Sequence, residues 1–504
     1  TTKGGVTDFE GNYAITGIEA GTYNLQFSYI SYQSKTVEGV EVIDGETTIM
    51  NLRLAPDAQQ LQEVVVTAEV IRNSEAALVT VKRKSVNVLD GISSETFKKI
   101  GDSDAASAIR RVPGVSVQGG KYVFVRGLGD RYTKTILNGM EVPGLDPDRN
   151  SLQMDIFPTN VVDNIIVKKS FTADLPADFT GGIVDVELKD FPEEKNISAS
   201  VSFGFNPSMH FKDNYLDYDG GNTDFLGFDD GTRDLPISSQ ADIPQQVRAR
   251  FDPELSQQLT DITSSLDPVF GPTESTSFGN YSVSFSAGNQ FNKENFSIGF
   301  NSALNYRNNT EFYEDVVDNA LYEKNADPSV TSLDLDRLRT GSIGINNVLL
   351  SGLAGVAVKT NASKVQLSVL HVQNGQSTSN RILEENFLQA VNRSDRFGIE
   401  YTERSITNVL LGGEHFFNSS GLTLDWKLTP TFSTIDDKDV RQVPFTLEGE
   451  APEIQPSEGG NPRRLWRFLD EQNYSGRVDL TKNFKISGNE SKLKAGGSFV
   501  YKER

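Results

Sequence analysis

The chain has 504 residues, which is too long for one compact core, so two to four structural units are expected. Its 69 acidic and 48 basic residues give a net charge of −21, which argues against a protein built to bind nucleic-acid phosphates. The sequence has no cysteine, three scattered histidines (His210, His371 and His415) and no HExxH motif. These counts exclude disulfides, zinc–thiolate sites and thiol catalysis, and they argue against a zinc peptidase.

Both ends of the chain predict a fragment of a longer protein. The chain begins at Thr1 without an initiator methionine or a signal peptide, and residues 498–504 resemble the middle of a strand. The longest uncharged apolar run, residues 347–358, is shorter than the stretch of about 20 residues that a membrane-spanning helix needs. Alternating strands cross a membrane without such a run.

Residues 1–55 are predicted to form an incomplete β-sandwich. Residues 22–31 alternate apolar and polar side chains, and Asp44-Gly45 separates two more predicted strands, residues 37–43 and 47–54. The unit resembles the carboxypeptidase-regulatory-like domain through Thr7-Asp-x-x-Gly-x-Tyr13 and Gly21-Thr-Tyr23. That resemblance implies no catalytic residue, so an interaction or spacer role is expected.

Residues 56–84 are predicted to be a polar linker that contains the segment Glu63-Val64-Val65-Val66-Thr67. Three consecutive β-branched residues favour an extended backbone. Such a segment can add as a strand to the open edge of another protein's sheet, with main-chain hydrogen bonds supplying the affinity. The alternative is that it forms the last strand of the preceding sandwich.

Residues 85–192 are predicted to form a compact α+β domain. A short helix over 104–111 has Asp102 or Ser103 as its cap and ends at Pro113-Gly114. The predicted strands cover residues 122–125, 133–137, 161–167 and 183–188. Asn138-Gly139 supplies a type I′ hairpin turn after the second of them.

This domain resembles the plug domain of TonB-dependent outer-membrane transporters, and the sandwich in front of it fits the Bacteroidetes type of that family. The resemblance rests on motifs in family order, which are residues 109–117, 123–132, 135–140, 157–170 and 181–188. It implies that the segment Glu63–Thr67 is a TonB box, the strand that TonB captures. It also implies that the plug is shaped by Arg126, Gly127, Asp130, Arg131, Asn138, Gly139, Gly181 and Gly182.

The plug sequence departs from one branch of the family. Glycan importers that work with a surface lipoprotein have a different plug signature from the Arg126-Gly-Leu-Gly-Asp-Arg131 found here. This departure weakens the case for a surface lipoprotein partner and for a glycan cargo. Arg126 and Arg131 either pair with carboxylates on a barrel wall or are ordinary solvated surface arginines, and if they are buried their charges must be paired.

Residues 193–504 are predicted to form the first part of a transmembrane antiparallel β-barrel. Apolar residues alternate with small polar ones, as in 197–205, 281–291 and 296–306, which suits strands between lipid and a wet lumen. About nine strands are counted, joined by connections that run long, short, long, short. The long connections are predicted at about 207–274, 307–337, 373–393 and 448–462. The family resemblance implies a closed barrel of 22 strands, so these nine would be less than half of it.

The first long connection is rich in aspartate, and Asp217-Tyr-Asp219-Gly-Gly-Asn222 is weakly similar to a calcium loop. Phe228 stands where an EF-hand has its twelfth-position glutamate, so the alternative of a solvated acidic loop is favoured. No cofactor is expected.

The resemblance implies an importer of the Gram-negative outer membrane that is no enzyme. Its plug would rearrange when TonB and its inner-membrane motor proteins pull on the TonB box. The sandwich and the box would lie in the periplasm, and the partners would be TonB, outer-membrane lipid and an unidentified external ligand. Two alternatives remain open at this point: a passive porin or surface adhesin, and a secreted hydrolase, for which no GxSxG motif is present.

Overall fold

The computed structural model describes residues 3–7, 12–29, 34–54, 74–129, 131–144, 146, 152–176, 178–190, 192, 195–238, 240–388, 392–447, 452–457, 460–487 and 489–504. The chain divides into two compact units, residues 1–68 and 69–504. Within the described ranges, no helix has the length and apolar character needed to cross a membrane.

The first unit contains a two-stranded antiparallel sheet. Its strands are β1 (Gly21–Phe27) and β2 (Lys35–Val42), and the turn at Asp44-Gly45 forms as predicted, with Glu46 N donating to the Ile43 carbonyl at 3.2 Å. The expectation of a third strand over 47–54 is wrong. Side chains rather than a strand ladder hold that segment, since Thr48 Oγ1 donates to the Glu41 carbonyl and Tyr13 Oη to the Met50 carbonyl, both at 2.9 Å.

The second unit begins with an α+β region, which is called the plug region below (residues 74–192). Its helices are α1 (Glu75–Lys84), α2 (Ser94–Ile100) and α3 (Ala105–Ile109). Its strands are β3 (Leu89–Ser93), β4 (Val115–Gln118), β5 (Tyr122–Val125), β6 (Thr133–Leu137), β7 (Met140–Glu141), β8 (Val162–Lys168) and β9 (Gly182–Leu188). Five of them form a sheet in the order β3-β8-β9-β6-β7, in which β6 and β9 run parallel, and β4 pairs with β5.

The cap of α3 differs from the prediction. Asp104 caps the helix by accepting a hydrogen bond from Ser107 N at 2.8 Å. Asp102, one of the two predicted caps, instead receives both arms of the Arg111 guanidinium at 2.7 and 2.8 Å. A carboxylate two residues before the cap position is better used as a partner for an arginine at the end of the helix than for the amides at its start.

The rest of the chain forms a nine-stranded antiparallel sheet, as predicted. It begins with β10 (Asn196–Gly204), and a long connection follows that contains β11 (Tyr215–Asp217), α4 (Gln246–Ala249), α5 (Pro253–Ser265) and β12 (Thr273–Ser275). The remaining strands are β13 (Asn280–Asn292), β14 (Phe296–Lys324), β15 (Leu333–Thr360), β16 (Ser363–Asn386), β17 (Asn392–Phe417), β18 (Leu422–Thr446), β19 (Arg463–Ile486) and β20 (Asn489–Glu503). The order in the sheet is β10-β13-β14-β15-β16-β17-β18-β19-β20, so each strand pairs with the next one along the chain once the connection is passed.

The register of this sheet separates two faces. One row of paired residues, Phe300, Val356, Leu367, Leu411 and Leu428, crosses five strands and is exposed, and the face that carries it is called the outer face below. Residues of the opposite parity on the same strands are buried against the plug region, and their face is called the plug face. The period-2 pattern of the sequence therefore marks which face each residue occupies.

Two of the predicted long connections are mostly strand. The expected loop at 307–337 shrinks to residues 325–332, and the one at 373–393 shrinks to 387–391. Long and short connections still alternate along the chain, but two of the long ones are much shorter than predicted. The strands continue past the apolar row as polar antiparallel ladders, and a ladder with polar side chains on both faces leaves no hydrophobic period to detect.

Candidate functional site

The plug region packs on the nine-stranded sheet through an apolar seam. The plug region has its own buried core, which includes Ile109, Val125, Leu137, Phe157 and Val184. Side chains from the plug face of the sheet belong to the same cluster, namely Ala303, Leu349, Leu353, Leu370, Val372, Ile406 and Ile435. Burial of apolar side chains is the main force that holds packed elements together, so this seam binds the plug region to the sheet.

The turn at Asn138-Gly139 forms as predicted and connects the plug to the sheet. Both residues have positive φ angles, 52° and 78°, as a type I′ turn requires. Asn138 Oδ1 accepts from Leu188 N at 2.8 Å, and Gly139 N donates to Asp185 Oδ1 at 2.9 Å. On the sheet side, Lys427 Nζ donates to the Asn138 carbonyl at 3.0 Å.

The predicted glycines at Gly181 and Gly182 mark a close approach of three backbone segments. A Cβ at Gly182 would lie 2.8 Å from Val125 Cγ1, and one at Gly181 would lie 2.9 Å from Thr133 Oγ1. Gly181 N also donates to the Tyr132 carbonyl at 2.7 Å. The two glycines therefore let β9 start directly beside β6.

Arg126 and Gly127 form a second tight turn, with φ angles of 55° and 77°. Arg126 and Arg131 are both exposed, and within the described ranges neither makes an ion pair with a carboxylate of the sheet. The structure thus gives no support to the idea that they fasten the plug to a wall. Asp130 and the whole segment Glu63–Thr67 lie outside the described residues.

A different arginine, which the sequence analysis did not select, fastens the plug region to the sheet. Arg307 on β14 donates from Nη1 to Asp104 Oδ2 at 2.5 Å and from Nη2 to the Asp155 carbonyl at 3.0 Å. Both side chains of the ion pair are almost buried. Because Asp104 also caps α3, its carboxylate links β14 of the sheet to the start of this helix in the plug region.

Further polar contacts surround the apolar seam. Asn301 Nδ2 donates to the Lys189 carbonyl at 2.6 Å, and Lys364 pairs with Asp190 where the chain leaves the plug. Ser475 Oγ donates to the Glu141 carbonyl at 3.3 Å. All of these strand side chains lie at plug-face positions. A charged or amide side chain at such a position, in a run of small polar residues, is the sequence signal that could have found Asn301 and Lys364.

The tip of the β4–β5 hairpin carries the other charged contact. Lys121 Nζ donates to Gln376 Oε1 at 2.7 Å, and burial together with the nearby Arg404 lowers the pKa of Lys121. Burial raises the pKa of Asp155 beside it, although Lys121 and Arg307 oppose that shift. Tyr122 donates to Asp146 and accepts from Gln153, and burial raises the pKa of Tyr122 to about 12.

The acidic connection between β10 and β13 is organised by an arginine. Arg233, whose side chain is 1% exposed, donates to Asp224 and Asp229, each from Nη1 at 2.8 Å. Its guanidinium lies 4.0 Å from the centroid of the Tyr401 ring. Of the two weak calcium candidates, Asp217 accepts from Tyr218 N at 2.9 Å and Asp219 is exposed. In the described part of the chain, no group of three histidines or carboxylates could hold a metal ion.

The nine-stranded sheet thus has two different faces. A folded domain lies on one face of an antiparallel sheet, held by an apolar seam and by polar contacts that can exchange with water, while the opposite face of the sheet is apolar and exposed.

Comparison with protein families identifies both parts of the N-terminal half. Residues 81–183 match the TonB-dependent receptor plug domain, and residues 1–66 match the CarboxypepD_reg-like domain. The chain thus carries a TonB-dependent receptor plug domain behind a carboxypeptidase-regulatory-like domain, as the sequence motifs predicted. No curated protein matches the chain in sequence.

Several solved structures are similar in fold at low identity. FpvA of P. aeruginosa bound to heterologous pyoverdines is 11% identical, with a TM-score of 0.37, and the match covers 83% of this chain and 52% of that chain. The unliganded ferric citrate transporter FecA is 12% identical, with a TM-score of 0.38, over 84% and 58%. The RagAB peptide importer in its "open-open" state is 13% identical, with a TM-score of 0.36, over 82% and 55%. The chain spans little more than half the length of these structures.

Proposed function

We propose that this chain belongs to a TonB-dependent receptor that imports a ligand across the outer membrane by rearrangement of its plug. The observation that carries the proposal is a matched plug domain seated on the plug face of a sheet whose other face is exposed and apolar. The apolar outer face fits lipid, and the plug face fits the lumen of a barrel.

The direction of the chain fits this assignment. The plug region ends at Lys189 and Asp190, which contact Asn301 and Lys364, and both of those wall residues lie near the short connections 293–295 and 361–362. Outer-membrane barrels have their short turns on the periplasmic side. The sandwich and the TonB box would then lie in the periplasm, where TonB can reach them.

The coupling step would be strand addition by Glu63–Thr67. Val64, Val65 and Val66 favour an extended backbone, and main-chain hydrogen bonds to an open sheet edge supply affinity without a fixed side-chain pocket. A pull on this segment is transmitted along the linker to α1 and β3, the first elements of the plug region. The contacts of Arg307 and Lys427 are the ones that a rearrangement of the plug would break and remake.

A peptide covering Ala58–Arg72 tests the coupling step directly. We expect it to bind the C-terminal domain of TonB from the same organism with saturation, and the Val65→Pro peptide to lose binding, because proline removes a backbone donor from the added strand. A scrambled peptide of the same composition controls for charge and hydrophobicity. If neither the native nor the Pro peptide binds a TonB domain that is active on another box, a passive porin or adhesin with a non-energised plug becomes the better hypothesis.

A further inference from the structure

The connection between β10 and β13 lies on the outer face of the sheet, opposite the plug. Tyr306 Oη donates to the Phe225 carbonyl at 2.7 Å, Gln373 Nε2 to the Gly227 carbonyl at 2.8 Å, and Asp229 N to Glu403 Oε2 at 3.0 Å. These three strand residues have outer-face parity in an unbroken register: Leu350 pairs with both Tyr306 and Gln373, and Gly375 pairs with Glu403. Arg307, which directly follows Tyr306, points to the plug.

The outer face is shaped to receive this connection. A Cβ at Gly344 would clash with the Leu216 carbonyl oxygen, and one at Gly375 would lie 2.7 Å from Gly227 Cα. The Tyr215 ring also packs on Phe312 of the same face, with centroids 6.0 Å apart. At these two glycines the strands have no side chain, so the backbone of the connection rests directly on the backbone of the sheet there.

A cluster of exposed phenylalanines joins this connection to the apolar outer face. Its rings form a chain of contacts: Phe203 to Phe278 at 5.8 Å, Phe278 to Phe211 at 5.4 Å, and Phe211 to Phe205 at 5.9 Å. Each of these four rings is between 52% and 59% exposed. Phe203 directly continues the row of Ile197, Ala199 and Val201 on β10, so the cluster is continuous with the exposed face of the sheet. A contiguous exposed patch of this kind marks a surface that is covered by a partner or a membrane.

Charge argues for the apolar part of a lipid layer as that cover. Residues 205–279 hold 13 acidic and 4 basic residues, a net charge of −9. Anionic headgroups would therefore repel this segment, and its phenylalanine rings are the groups that can bind a membrane. Aromatic side chains of membrane barrels concentrate at the boundary between acyl chains and headgroups.

We propose that residues 205–279 form a collar on the outside of the barrel, and that a phenylalanine cluster made of Phe205, Phe211 and Phe278 of the collar and Phe203 of β10 inserts at the acyl–headgroup boundary of the outer leaflet. The collar rests on the membrane placement given under Proposed function. It holds the first external connection down on the lipid surface, away from the lumen that the plug closes.

Site-directed spin labelling tests the collar, since the chain has no cysteine of its own. The full receptor would be reconstituted in phosphatidylcholine bilayers with single labels at Phe211→Cys and Phe278→Cys. Phe285→Cys on the outer face of β13 is the lipid control, and Ser329→Cys in the exposed β14–β15 connection is the aqueous control. The measurement is the accessibility of each label to oxygen relative to a water-soluble nickel chelate.

The expected result is an oxygen-to-nickel ratio at Phe211 and Phe278 that is shifted from the Ser329 value toward the Phe285 value. The ratio should be the same at low and high salt, because no headgroup charge is involved. Labels at Phe211 and Phe278 that match Ser329 while Phe285 reports lipid overturn the collar and leave the cluster to a protein partner. If Phe285 itself matches Ser329, the membrane placement fails, and the collar fails with it.

Discussion

Arg307 is predicted to hold the plug region on the sheet, and the prediction concerns its replacement by alanine. The substitution leaves the Asp104 carboxylate without its cation and the Asp155 carbonyl without its donor. Removing one member of a buried ion pair costs about 3–5 kcal/mol. Asp104 keeps its bonds to Ser107 N and Ser103 Oγ, and its side chain is 11% exposed, so water can compensate in part.

We therefore take about 2–4 kcal/mol as the loss in the free energy that keeps α3 docked, which is about 1 kcal/mol less than the range for buried pairs. At 1.36 kcal/mol for each factor of ten, this loss raises the population of the undocked state by about 30- to 1,000-fold. The backbone amides of α3 report that population through hydrogen exchange, because local opening limits their exchange. The same increase is expected in their exchange rates in the full receptor.

Two controls separate the ion pair from a general loss of stability. Asp104→Asn keeps an N-cap side chain but removes the charge, so its effect should be smaller than that of Arg307→Ala, and the double variant should be less than additive. Arg131→Ala removes an exposed plug arginine with no ion pair among the described residues, and it should leave α3 exchange unchanged. Exchange in α3 that is the same in Arg307→Ala and in the wild type would refute the reasoning.

Three further predictions concern single sites. Gly139→Ala places a side chain on a residue with a φ of 78° and should lower the free energy of unfolding by about 1–2 kcal/mol. Chemical denaturation of the full chain would measure this loss, with Arg53→Ala, at an exposed position of the first unit, as the control. Arg233→Met leaves the Asp224 and Asp229 carboxylates without their cation and should speed proteolysis within 224–233. Arg248→Met should not speed it, and equal proteolysis rates in the two variants would contradict the organising role of Arg233. Burial and the nearby Lys98 lower the pKa of Lys189 to about 8. Because the unfolded chain binds the proton more tightly, stability should rise from about pH 8 to pH 10.5 relative to Lys189→Met, and identical pH profiles would contradict this.

Local chemistry explains which parts of the fold the sequence could predict. The Asn138-Gly139 turn, the strand at 122–125 and the apolar row on β14 each depend on a few neighbouring residues, and all three formed as predicted. The predicted segments on β14 to β17 cover only the apolar parts of these strands, and the remaining extensions were missed because they carry mostly polar residues on both faces. Their pairing is set by the neighbouring strand, which a single-chain period does not reveal.

The contacts of the plug with the sheet are non-local, and for that reason Arg307 could not be singled out from the sequence. Arg126 and Arg131 stand in a recognisable motif but are exposed, whereas Arg307 stands in a strand with no motif around it and is nearly buried. A motif reports the turn that a short segment makes. Which charge meets which carboxylate depends on how two distant segments dock, and Arg307 and Asp104 are 203 positions apart.

The position of β3 indicates where the pull proposed above would act first. In the five-stranded sheet β3 is an edge strand that pairs only with β8, so it can be peeled without opening the rest of the sheet. Asp90 on β3 pairs with Lys82 and Lys169. Burial acts to raise the pKa of Asp90, but the hydrogen bonds from Lys169 and Lys82 outweigh it, so the pKa is lowered. The Asp90 contribution is therefore present above pH 3.8 and lost as the pH falls through the lowered value.

Asp90→Asn should consequently reduce the force at which the first plug segment is released when the reconstituted receptor is pulled by its N-terminal linker. Asp178→Asn is the matched control, since Asp178 is exposed and its partner Lys134 lies on β6, which is not adjacent to β3 in the sheet. The wild-type release force should fall toward the Asp90→Asn value on acidification, while the variant changes little. A release force that Asp90→Asn leaves unaltered would mean that the pull enters the plug at a point other than β3. The docking of α3 through Arg307 would then be the first barrier that the pull meets.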